Sequence, residues 1–201
     1  RRCKSVRTTR DPTDRPLPGR AHGWPLPKHP EPPAGTRSAC GRWRDGAMER
    51  QRLQQGYLAN TATCSVRVRI AEGQGWISVK GMRPGRVRDE YEYVIPEKEA
   101  EAMLAAFVGD PLIDKIRHRV PIAGHVFEVD EFQGANDGLV IAEIELDATD
   151  EEFPHPPWLG DEVTEDARYY NFRLVAEPFA SWPEEQRQAV SRGCGSSSAL
   201  R

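Results

Sequence analysis

Charged and apolar side chains alternate along several short segments of this chain, and in most of them neighbouring charges share one sign. Arg67 and Arg69, for example, alternate with Val66, Val68 and Ile70. Side chains at positions i and i+2 of a β-strand lie on the same face of a sheet. The pattern therefore predicts a sheet with one apolar face and one strongly charged face. The other members of the pattern are Lys80 in WISVK, Arg88, Glu90 and Glu92 in RDEYEYVI, Lys115 and Arg117 in DKIRHRV, and Glu143 and Glu145 in IAEIEL.

The charged face has two interpretations. A half-exposed sheet can alternate in this way simply because one face meets water. However, like charges two residues apart on one face repel each other, and an oppositely charged ligand would relieve that repulsion. Arg and Lys match phosphate oxygens, and paired carboxylates are hard oxygen ligands for Mg²⁺ or Mn²⁺. The segregation of charge by strand therefore favours a site for a polyanion together with a divalent metal.

Residues 1–47 differ in composition from the rest of the chain. They contain eight of the 17 prolines and carry a net charge of +7, which leaves −10 for the remainder. Such a segment cannot bury enough apolar surface to offset its chain entropy, so we predict that it is disordered. A shifted reading frame, or a true start at Met48, would also explain this composition. Residues 48–182 are the predicted domain, and 183–201 are predicted to form a short helix and a flexible tail.

Several function classes are disfavoured by composition and motif content. An acidic domain lacks the basic face expected of a nucleic-acid-binding protein. The four cysteines form no C-x-x-C pair, and no apolar run is long enough to span a bilayer. No phosphate-binding loop of the G-x-x-x-x-G-K-[ST] type is present. We therefore expect a soluble, cytoplasmic protein that does not bind a membrane and does not use P-loop chemistry.

Strand patterns dominate the chain after Gln54, and one helix is predicted between Pro96 and Gly109. A second, weaker helical pattern occupies VTEDARYYNFRLV, with Thr164 as its predicted N-cap. We expect this segment to cover one end of the sheet. Many short strands with few helices predict a mainly β (α+β) fold, an antiparallel closed or nearly closed β-barrel with helices outside it.

Eight short motifs follow one another between about Gln54 and Phe179. They are Q-G-Y-L, R-V-R, S-V-K, R-x-E-Y-E, K-I-R, F-E-V-D, A-E-I-E-L and W-L-G-D-E-V-T, followed by YYNFRLVAEPF. This order resembles the CYTH domain, also called the triphosphate tunnel metalloenzymes. The resemblance implies a tunnel-shaped antiparallel barrel with charges pointing inward. It also implies metal-dependent hydrolysis of inorganic tripolyphosphate or a similar triphosphate, or class IV adenylate cyclase activity.

The resemblance assigns roles to individual residues, and the sequence leaves open which triphosphate is the substrate. The phosphate oxygens would be held by Arg67, Arg69, Lys80, Arg88, Lys115 and Arg117. Mg²⁺ or Mn²⁺ would be held by Glu143, Glu145 and Asp130, which shares a predicted face with Glu128. Catalytic roles would fall to Lys115 and to Glu90 and Glu92, which would flank the metal or orient water. A homodimer is a further expectation from the resemblance.

One motif of the family is missing from this chain. The family opens with a strand that carries E-x-E-x-K, and no such motif precedes Gln54. The sequence therefore predicts a barrel that lacks one strand and half of its acidic cluster. For this reason a second function stays open, a catalytically impaired protein that binds polyphosphate or a nucleotide without hydrolysing it.

Overall fold

The described part of the chain is organised around one antiparallel sheet of nine strands. The computed structural model describes residues 37–39, 41–81, 90–109, 111–146 and 151–192. The spatial order of the strands is β5-β4-β3-β2-β6-β7-β8-β1-β9. Their bounds are β1 (Arg37–Ala39), β2 (Glu49–Asn60), β3 (Cys64–Ala71), β4 (Gln74–Gly81), β5 (Glu90–Ile95), β6 (Ile113–Ile122), β7 (His125–Phe132), β8 (Val140–Ile144) and β9 (Leu159–Glu162). The predicted mainly β, antiparallel fold is confirmed.

Two hairpins in the sheet turn through only two residues each. Glu72 and Gly73 connect β3 to β4, and Ala123 and Gly124 connect β6 to β7, all four with positive φ. Two successive residues with positive φ form the type of tight turn whose twist matches that of the flanking strands. These hairpins keep the alternating charges of the paired strands in register.

The long strand β2 joins two halves of the sheet that are displaced along its axis. Residues 53–60 of β2 pair with β3, whereas residues 49–55 pair with β6. The half formed by β3, β4 and β5 therefore lies further along β2 than the half formed by β6, β7 and β8. A stagger of this kind accompanies sheets that coil towards a barrel.

Three α-helices accompany the sheet: α1 (Glu97–Met103), α2 (Asn171–Ala176) and α3 (Glu184–Arg192). Four 3-10 helices occupy Gly41–Gly46, Gly134–Asn136, Ala167–Tyr169 and Phe179–Ser181. The helix predicted between Pro96 and Gly109 is confirmed: α1 follows Pro96, continues as a π-helical turn over Leu104–Val108, and ends at Gly109, which has a φ of +68°. The sequence predicted a short helix within residues 183–201, and α3 lies in that region.

The prediction that Thr164 is an N-cap is wrong. The 3-10 helix over Ala167–Tyr169 is capped instead by Asp166, whose side chain accepts a hydrogen bond from the Arg168 backbone N–H. The Thr164 side chain is buried and donates to Glu162 at 3.2 Å. Both Thr164 and Asp166 have the chemistry of a cap, and the position of the first helical turn decided between them.

Helix α1 packs on the apolar face of β3 and β4. Ala100 and Leu104 are buried against Val68, with Ile70 and Ile77 beside them. The approach is close, because a Cβ placed on Gly75 of β4 would lie 2.7 Å from the Ala100 Cβ. The apolar residues that alternate with charge in the sequence therefore form the core beneath this helix.

A second part of the apolar core forms under residues that the sequence placed in the disordered segment. Trp43 lies in the 3-10 helix Gly41–Gly46 and is 1% exposed, packed with Val120 and Phe127. Its indole ring also contacts His118 edge-on, with ring centroids 4.6 Å apart. Regular structure therefore begins before residue 47, because a large indole side chain supplies the apolar area that the average composition conceals. The prediction for residues 1–36 lies outside the described residues.

The sequence predicts a barrel that lacks one strand, the strand with E-x-E-x-K. The structure has a short strand next to β8 that does not carry this motif. Arg37–Ala39 forms β1 between β8 and β9, with Arg37 paired to Ala142 and Ser38 to Ile141. The outer edges of the sheet are β5 and β9, and across the described ranges no backbone pairing joins them. Hydrogen bonds therefore leave the sheet open between these two strands. Among the helices that the structure describes, none has both the length and the apolar character needed to cross a bilayer.

Candidate functional site

The predicted site residues that the structure describes in strands share one face of the sheet. Directly opposed residues on neighbouring antiparallel strands point to the same side. Arg117 is opposite Asp130, Glu128 is opposite Glu143, and Arg67 is aligned through Ser78 with the β5 carboxylates. We call this surface the charged face; its members are Arg67, Arg69, Lys80, Glu90, Glu92, Lys115, Arg117, Glu128, Asp130 and Glu143. Glu145 follows the end of β8, and Arg88 lies outside the described residues.

Five residues of the charged face form a tight ion-pair network on β6, β7 and β8, which we call the buried network: Lys115, Arg117, Glu128, Asp130 and Glu143. The Lys115 ammonium donates to Asp130 at 2.5 Å. Arg117 makes a fork to both Asp130 oxygens, each at 2.7 Å. It also donates to Glu143 at 3.1 Å and to Glu128. One guanidinium therefore gathers carboxylates from two strands.

Within the buried network, the most deeply buried charges, Lys115 and Asp130, compensate each other. Lys115 is 2% exposed and Asp130 is 1% exposed. Burial by itself would raise the pKa of Asp130, but Arg117 and Lys115 outweigh it and lower that pKa to about 2. Burial lowers the pKa of Lys115, and the Asp130 carboxylate opposes this effect. Buried charges are tolerated when each has a partner and the remaining polar atoms are hydrogen-bonded, which is the case here.

The carboxylates at the β8 end of the network are less well compensated. Burial is the main cause that raises the pKa of Glu143, and Arg117 only partly offsets it. The pKa of Glu145 is also raised, first by burial and then by the neighbouring Glu128 carboxylate. Both groups therefore bind protons more readily than an ordinary glutamate, as expected where negative charges crowd together.

The remaining predicted residues form a looser group with Ser78 on β3, β4 and β5. We call this group the edge cluster: Arg67, Arg69, Ser78, Lys80, Glu90 and Glu92. Lys80 pairs with Glu90 at 2.9 Å, and Arg69 pairs with Glu92 at 3.4 Å. The Lys80 side chain keeps 31% of its surface exposed and Arg69 keeps 17%. The Arg69 guanidinium also lies 5.0 Å from the centre of the Trp76 ring. These cations are held in place but remain accessible to solvent.

Three residues of this face were not identified from the sequence. Ser78 is 1% exposed, donates to Glu92 at 2.9 Å and accepts from Arg67 at 3.5 Å. Gln55 is 2% exposed, and its amide nitrogen has no hydrogen-bond partner among the described residues. Tyr57 is aligned with Arg67 across β2 and β3. The i, i+2 spacing of Gln55 and Tyr57 within QQGYLA was the available signal, but neither residue carries a formal charge.

Tyr57 also reports on the curvature of the sheet. Its pKa is raised first by burial, lowered by Arg67 and raised by the Glu143 carboxylate. In the ladder of paired strands Glu143 aligns with Glu49 of β2, which is eight residues from Tyr57. In a flat sheet eight residues span about 26 Å, too far for a screened charge to act strongly. The effect of Glu143 on Tyr57 is therefore the one expected if the sheet coils and brings β8 towards the far end of β2.

The carboxylates of the buried network match a divalent metal in chemistry but not yet in arrangement. Carboxylate oxygens are the ligands that Mg²⁺ and Mn²⁺ prefer. Glu128, Asp130 and Glu143 all contact one cationic group, Arg117, so they already surround a single positive charge. Within the described ranges, however, no three acidic, His or Cys side chains are positioned to hold an ion as they stand. The chemistry of these donors therefore suits a divalent metal, and their present arrangement is that of a counter-ion site for Arg117.

The C-terminal segment covers one end of the charged face. Leu174, Phe179 and Trp182 pack on Ile113 and Phe132, which lie on the same side of the sheet as Lys115. Asn136, in the turn between β7 and β8, fixes this segment by donating to the Leu174 carbonyl at 3.4 Å and accepting from the Phe179 N–H at 2.8 Å. This end of the face is therefore filled by core residues, among them Leu174 of helix α2.

His118 lies on the opposite side of the sheet from Lys115 and Arg117, as its position in DKIRHRV predicts. It is 7% exposed, contacts Trp43, and has a pKa that burial lowers. Trp158 also belongs to the apolar core, with its ring 5.4 Å from that of Phe127. Neither residue contributes to the charged face.

Known proteins resemble this chain over most of the described region. A profile of the CYTH domain matches residues 33–174. An inorganic triphosphatase from Acetivibrio thermocellus is 45% identical over 131 residues, which covers 65% of this chain and 84% of that protein. An inorganic triphosphatase from Nitrosomonas europaea is 35% identical over 135 residues, which covers 65% of this chain and 88% of that protein. A solved structure of an inorganic triphosphatase aligns with a TM-score of 0.55 and 30% identity, covering 74% of this chain and 93% of the other.

Proposed function

Because the chain belongs to the CYTH domain family, we propose that it hydrolyses inorganic tripolyphosphate, or a similar triphosphate, with the help of a divalent metal. The observation that carries this proposal is the charged face, on which cations and carboxylates occupy separate strands of one coiled sheet. Two relatives that bear the name inorganic triphosphatase support the choice of substrate.

We assign triphosphate binding to the cations of the charged face. Arg67, Arg69 and Lys80 point towards the side of the sheet that β2 and β8 enclose. A guanidinium offers a planar pair of donors to phosphate oxygens, and an ammonium adds a compact charge. The unpartnered Nε of Arg67 and the amide nitrogen of Gln55 supply two further buried donors. Arg88, predicted from the sequence as a sixth cation, completes this proposal.

The proposed reaction takes place in a tunnel. The stagger along β2, the action of Glu143 on Tyr57 and the cover provided by Leu174 and Trp182 support an enclosed space above the charged face. Low-dielectric walls would strengthen every contact between a cation and a phosphate oxygen.

We assign metal binding to Asp130, Glu143 and Glu145, with Glu128 beside them. A Mg²⁺ or Mn²⁺ ion held by these residues would supply Lewis acidity towards the terminal phosphoryl group and a water of lowered pKa. The protein side chains position the reactants, which is most of what phosphoryl transfer requires. Glu92, held by Ser78 and Arg69, and Glu90, held by Lys80, would orient water next to the phosphates. Lys115 would help to neutralise charge from beneath Arg117.

A second candidate function, binding of a triphosphate without hydrolysis, is favoured by one observation. The strand next to β8 is Arg37–Ala39, and its sequence R-S-A contains no carboxylate. The acidic ligands must therefore come from β7 and β8. Cations alone are sufficient for binding, whereas hydrolysis needs an activated water.

The substitution Glu143→Gln tests the proposed function. It removes the charge that a metal requires but keeps the size of the side chain and its ability to accept from Arg117. We expect phosphate release from tripolyphosphate with Mg²⁺ or Mn²⁺ to fall by at least about a hundredfold, the scale of losing one important catalytic group. Tripolyphosphate binding, followed by isothermal titration calorimetry, should persist.

The matched control is Glu131→Gln, the same change on β7 but on the opposite face, where Glu131 pairs with Arg44. It should leave turnover unchanged. Parallel assays with thiamine triphosphate and ATP compare the alternative substrates. Tripolyphosphate that binds to the unaltered protein but is never hydrolysed, with either metal, would favour the second candidate and reject the first.

A further inference from the structure

Arg117 uses nearly all of its hydrogen-bonding capacity on carboxylates. A guanidinium has five N–H groups. In Arg117, Nε donates to Asp130, one terminal nitrogen donates to both Asp130 and Glu143, and the other donates to Glu128. Its side chain is only 19% exposed. As the structure stands, Arg117 has almost no donor left with which to bind phosphate.

These carboxylates include proposed metal ligands, so Arg117 and the metal ion would compete for the same oxygens. A metal ion at Glu128 and Glu143 would displace the guanidinium that now contacts them. A triphosphate at Arg117 would in turn remove the positive charge that now compensates these carboxylates. Neither ligand can take its full set of contacts while Arg117 stays where it is.

We propose that Arg117 is an exchangeable counter-ion that couples metal binding to triphosphate binding. Without ligands it occupies the centre of the carboxylate cluster. When a divalent cation takes its place among Asp130, Glu143 and the neighbouring Glu128, the guanidinium turns to the phosphate oxygens. This inference rests on the proposed function, because it concerns the same metal and the same triphosphate.

The edge cluster does not need such an exchange to bind phosphate. Lys80 pairs with Glu90 at 2.9 Å, and its side chain remains 31% exposed. Lys80 and Arg69 can contact an anion in the absence of metal. Triphosphate would therefore bind to the cations of β3 and β4 without metal, and to Arg117 of β6 only when metal is bound.

Coupling of this kind is reciprocal. If the metal raises the affinity for triphosphate by some factor, triphosphate must raise the affinity for metal by the same factor. Charge-assisted hydrogen bonds of the kind that Arg117 makes contribute enough to shift an affinity about tenfold. The size of the effect makes it measurable by calorimetry.

The test measures tripolyphosphate affinity without metal, in EDTA, by isothermal titration calorimetry. The double substitution Glu128→Gln with Glu143→Gln weakens the hold on Arg117 and should raise that affinity about tenfold. Removing two negative charges also raises the affinity for any anion, whatever Arg117 does. The double substitution is therefore repeated in an Arg117→Gln background, where we expect the gain to shrink to about twofold or less.

A second measurement uses the metal alone. Binding of Mn²⁺ without triphosphate, followed through the electron paramagnetic resonance signal of free Mn²⁺, should be at least about tenfold tighter in Arg117→Gln than in the unaltered protein. Lys80→Gln is the matched control: it removes a cation from the edge cluster and should leave Mn²⁺ affinity unchanged. Circular dichroism verifies that each variant is folded; if Arg117→Gln is not, the EDTA comparison between the unaltered protein and the double carboxylate variant decides.

The outcomes distinguish failure of the Arg117 exchange from failure of the proposed function. Equal metal-free affinities of the unaltered protein and the double carboxylate variant would reject the exchange, as would a gain that is undiminished in the Arg117→Gln background. If the unaltered protein neither binds nor hydrolyses tripolyphosphate with or without metal, the proposed function itself is rejected.

Discussion

The two halves of the charged face hold similar side chains in different ways. In the buried network, Lys115 and Asp130 are almost completely buried, and their contacts with each other and with Arg117 are 2.5–2.7 Å long. In the edge cluster, the pairs of Arg69 with Glu92 and of Lys80 with Glu90 lie at 3.4 Å and 2.9 Å and keep contact with solvent. The first half contains a fully buried ion pair, Lys115 with Asp130, and the second contains only partly exposed pairs.

This difference shows that the same sequence pattern can serve two purposes. Breaking a buried ion pair is costly because the remaining charge is stranded away from water. An exposed pair contributes little to stability, since water and salt already screen it. We therefore expect substitutions of the buried pair, Lys115 and Asp130, to act mainly on folding, and substitutions in the edge cluster to act mainly on ligand binding.

The largest effect is expected from Asp130→Asn. It would remove the charge opposite Lys115, which is 2% exposed and has few alternatives. The free energy of unfolding, measured with urea, should fall by about 3–5 kcal/mol. The matched change in the edge cluster, Glu92→Gln, should cost less than about 1 kcal/mol. Equal losses in the two variants would contradict the distinction between the two halves.

The pH dependence of stability should follow the same carboxylate. The folded-state pKa of Asp130, about 2, lies below its ordinary value of 3.8. Its contribution is therefore present above the unfolded-state pKa and is lost as the pH falls from about 4 to about 2. Across this pH range, the free energy of unfolding measured with urea should decrease by about 2 kcal/mol because Asp130 becomes protonated. The decrease should be absent from Asp130→Asn; its persistence there would assign the acid sensitivity to other carboxylates.

A smaller effect, on binding rather than folding, is expected from Arg69→Gln. Arg69 contacts Glu92 and the Trp76 ring but remains within reach of an anion. Losing one charge-assisted contact should weaken tripolyphosphate binding about tenfold, while the free energy of unfolding changes by less than about 1 kcal/mol. Calorimetric titration measures the first quantity and urea unfolding the second. A large loss of stability with unchanged affinity would reverse the roles of the two halves.

The smallest effect is expected from Glu145→Gln. The pKa of Glu145 is raised by burial and by Glu128, so its charged form opposes folding at neutral pH. A group with a raised folded-state pKa stabilises the protein only at low pH, and that contribution is lost as the pH rises. Removing the charge should therefore raise the melting temperature slightly at pH 7, within the range of about 0.5 kcal/mol typical of surface changes. Compared with the unaltered protein, Glu145→Gln should melt at a slightly higher temperature at pH 7 and at no higher temperature at pH 4.

Much of the fold could be predicted from local patterns. The alternation in SVRVRI and WISVK and the two-residue turn between these segments require only neighbouring residues to form a hairpin. Helix α1 likewise depends on Pro96 at its start and Gly109 at its end. Such elements are decided within a few residues of one another. The family resemblance was predicted for the same reason, because its motifs follow the strands, and the family match confirms it.

Other features depended on partners that are distant in the chain. The order of Trp43 depends on Val120 and Phe127, more than seventy residues away, so the composition of its own segment concealed it. The strand β1 was missed because its pairing with β8 joins residues that no local pattern connects. Asp166 rather than Thr164 caps the following turn because the chain enters that turn later than the pattern indicated. The roles assigned to the site residues stay predictions.

The sequence by itself determined that cations and carboxylates share one face, because a period of two is a property of the extended backbone. Only the tertiary structure decided which of them meet. The pairing of β6 with β7 and β8 placed Arg117 within reach of Glu128, Asp130 and Glu143, and buried Lys115 beneath them. Whether a charge is compensated or available depends on burial and on neighbours brought by folding, and neither property is encoded in the spacing of residues along one strand.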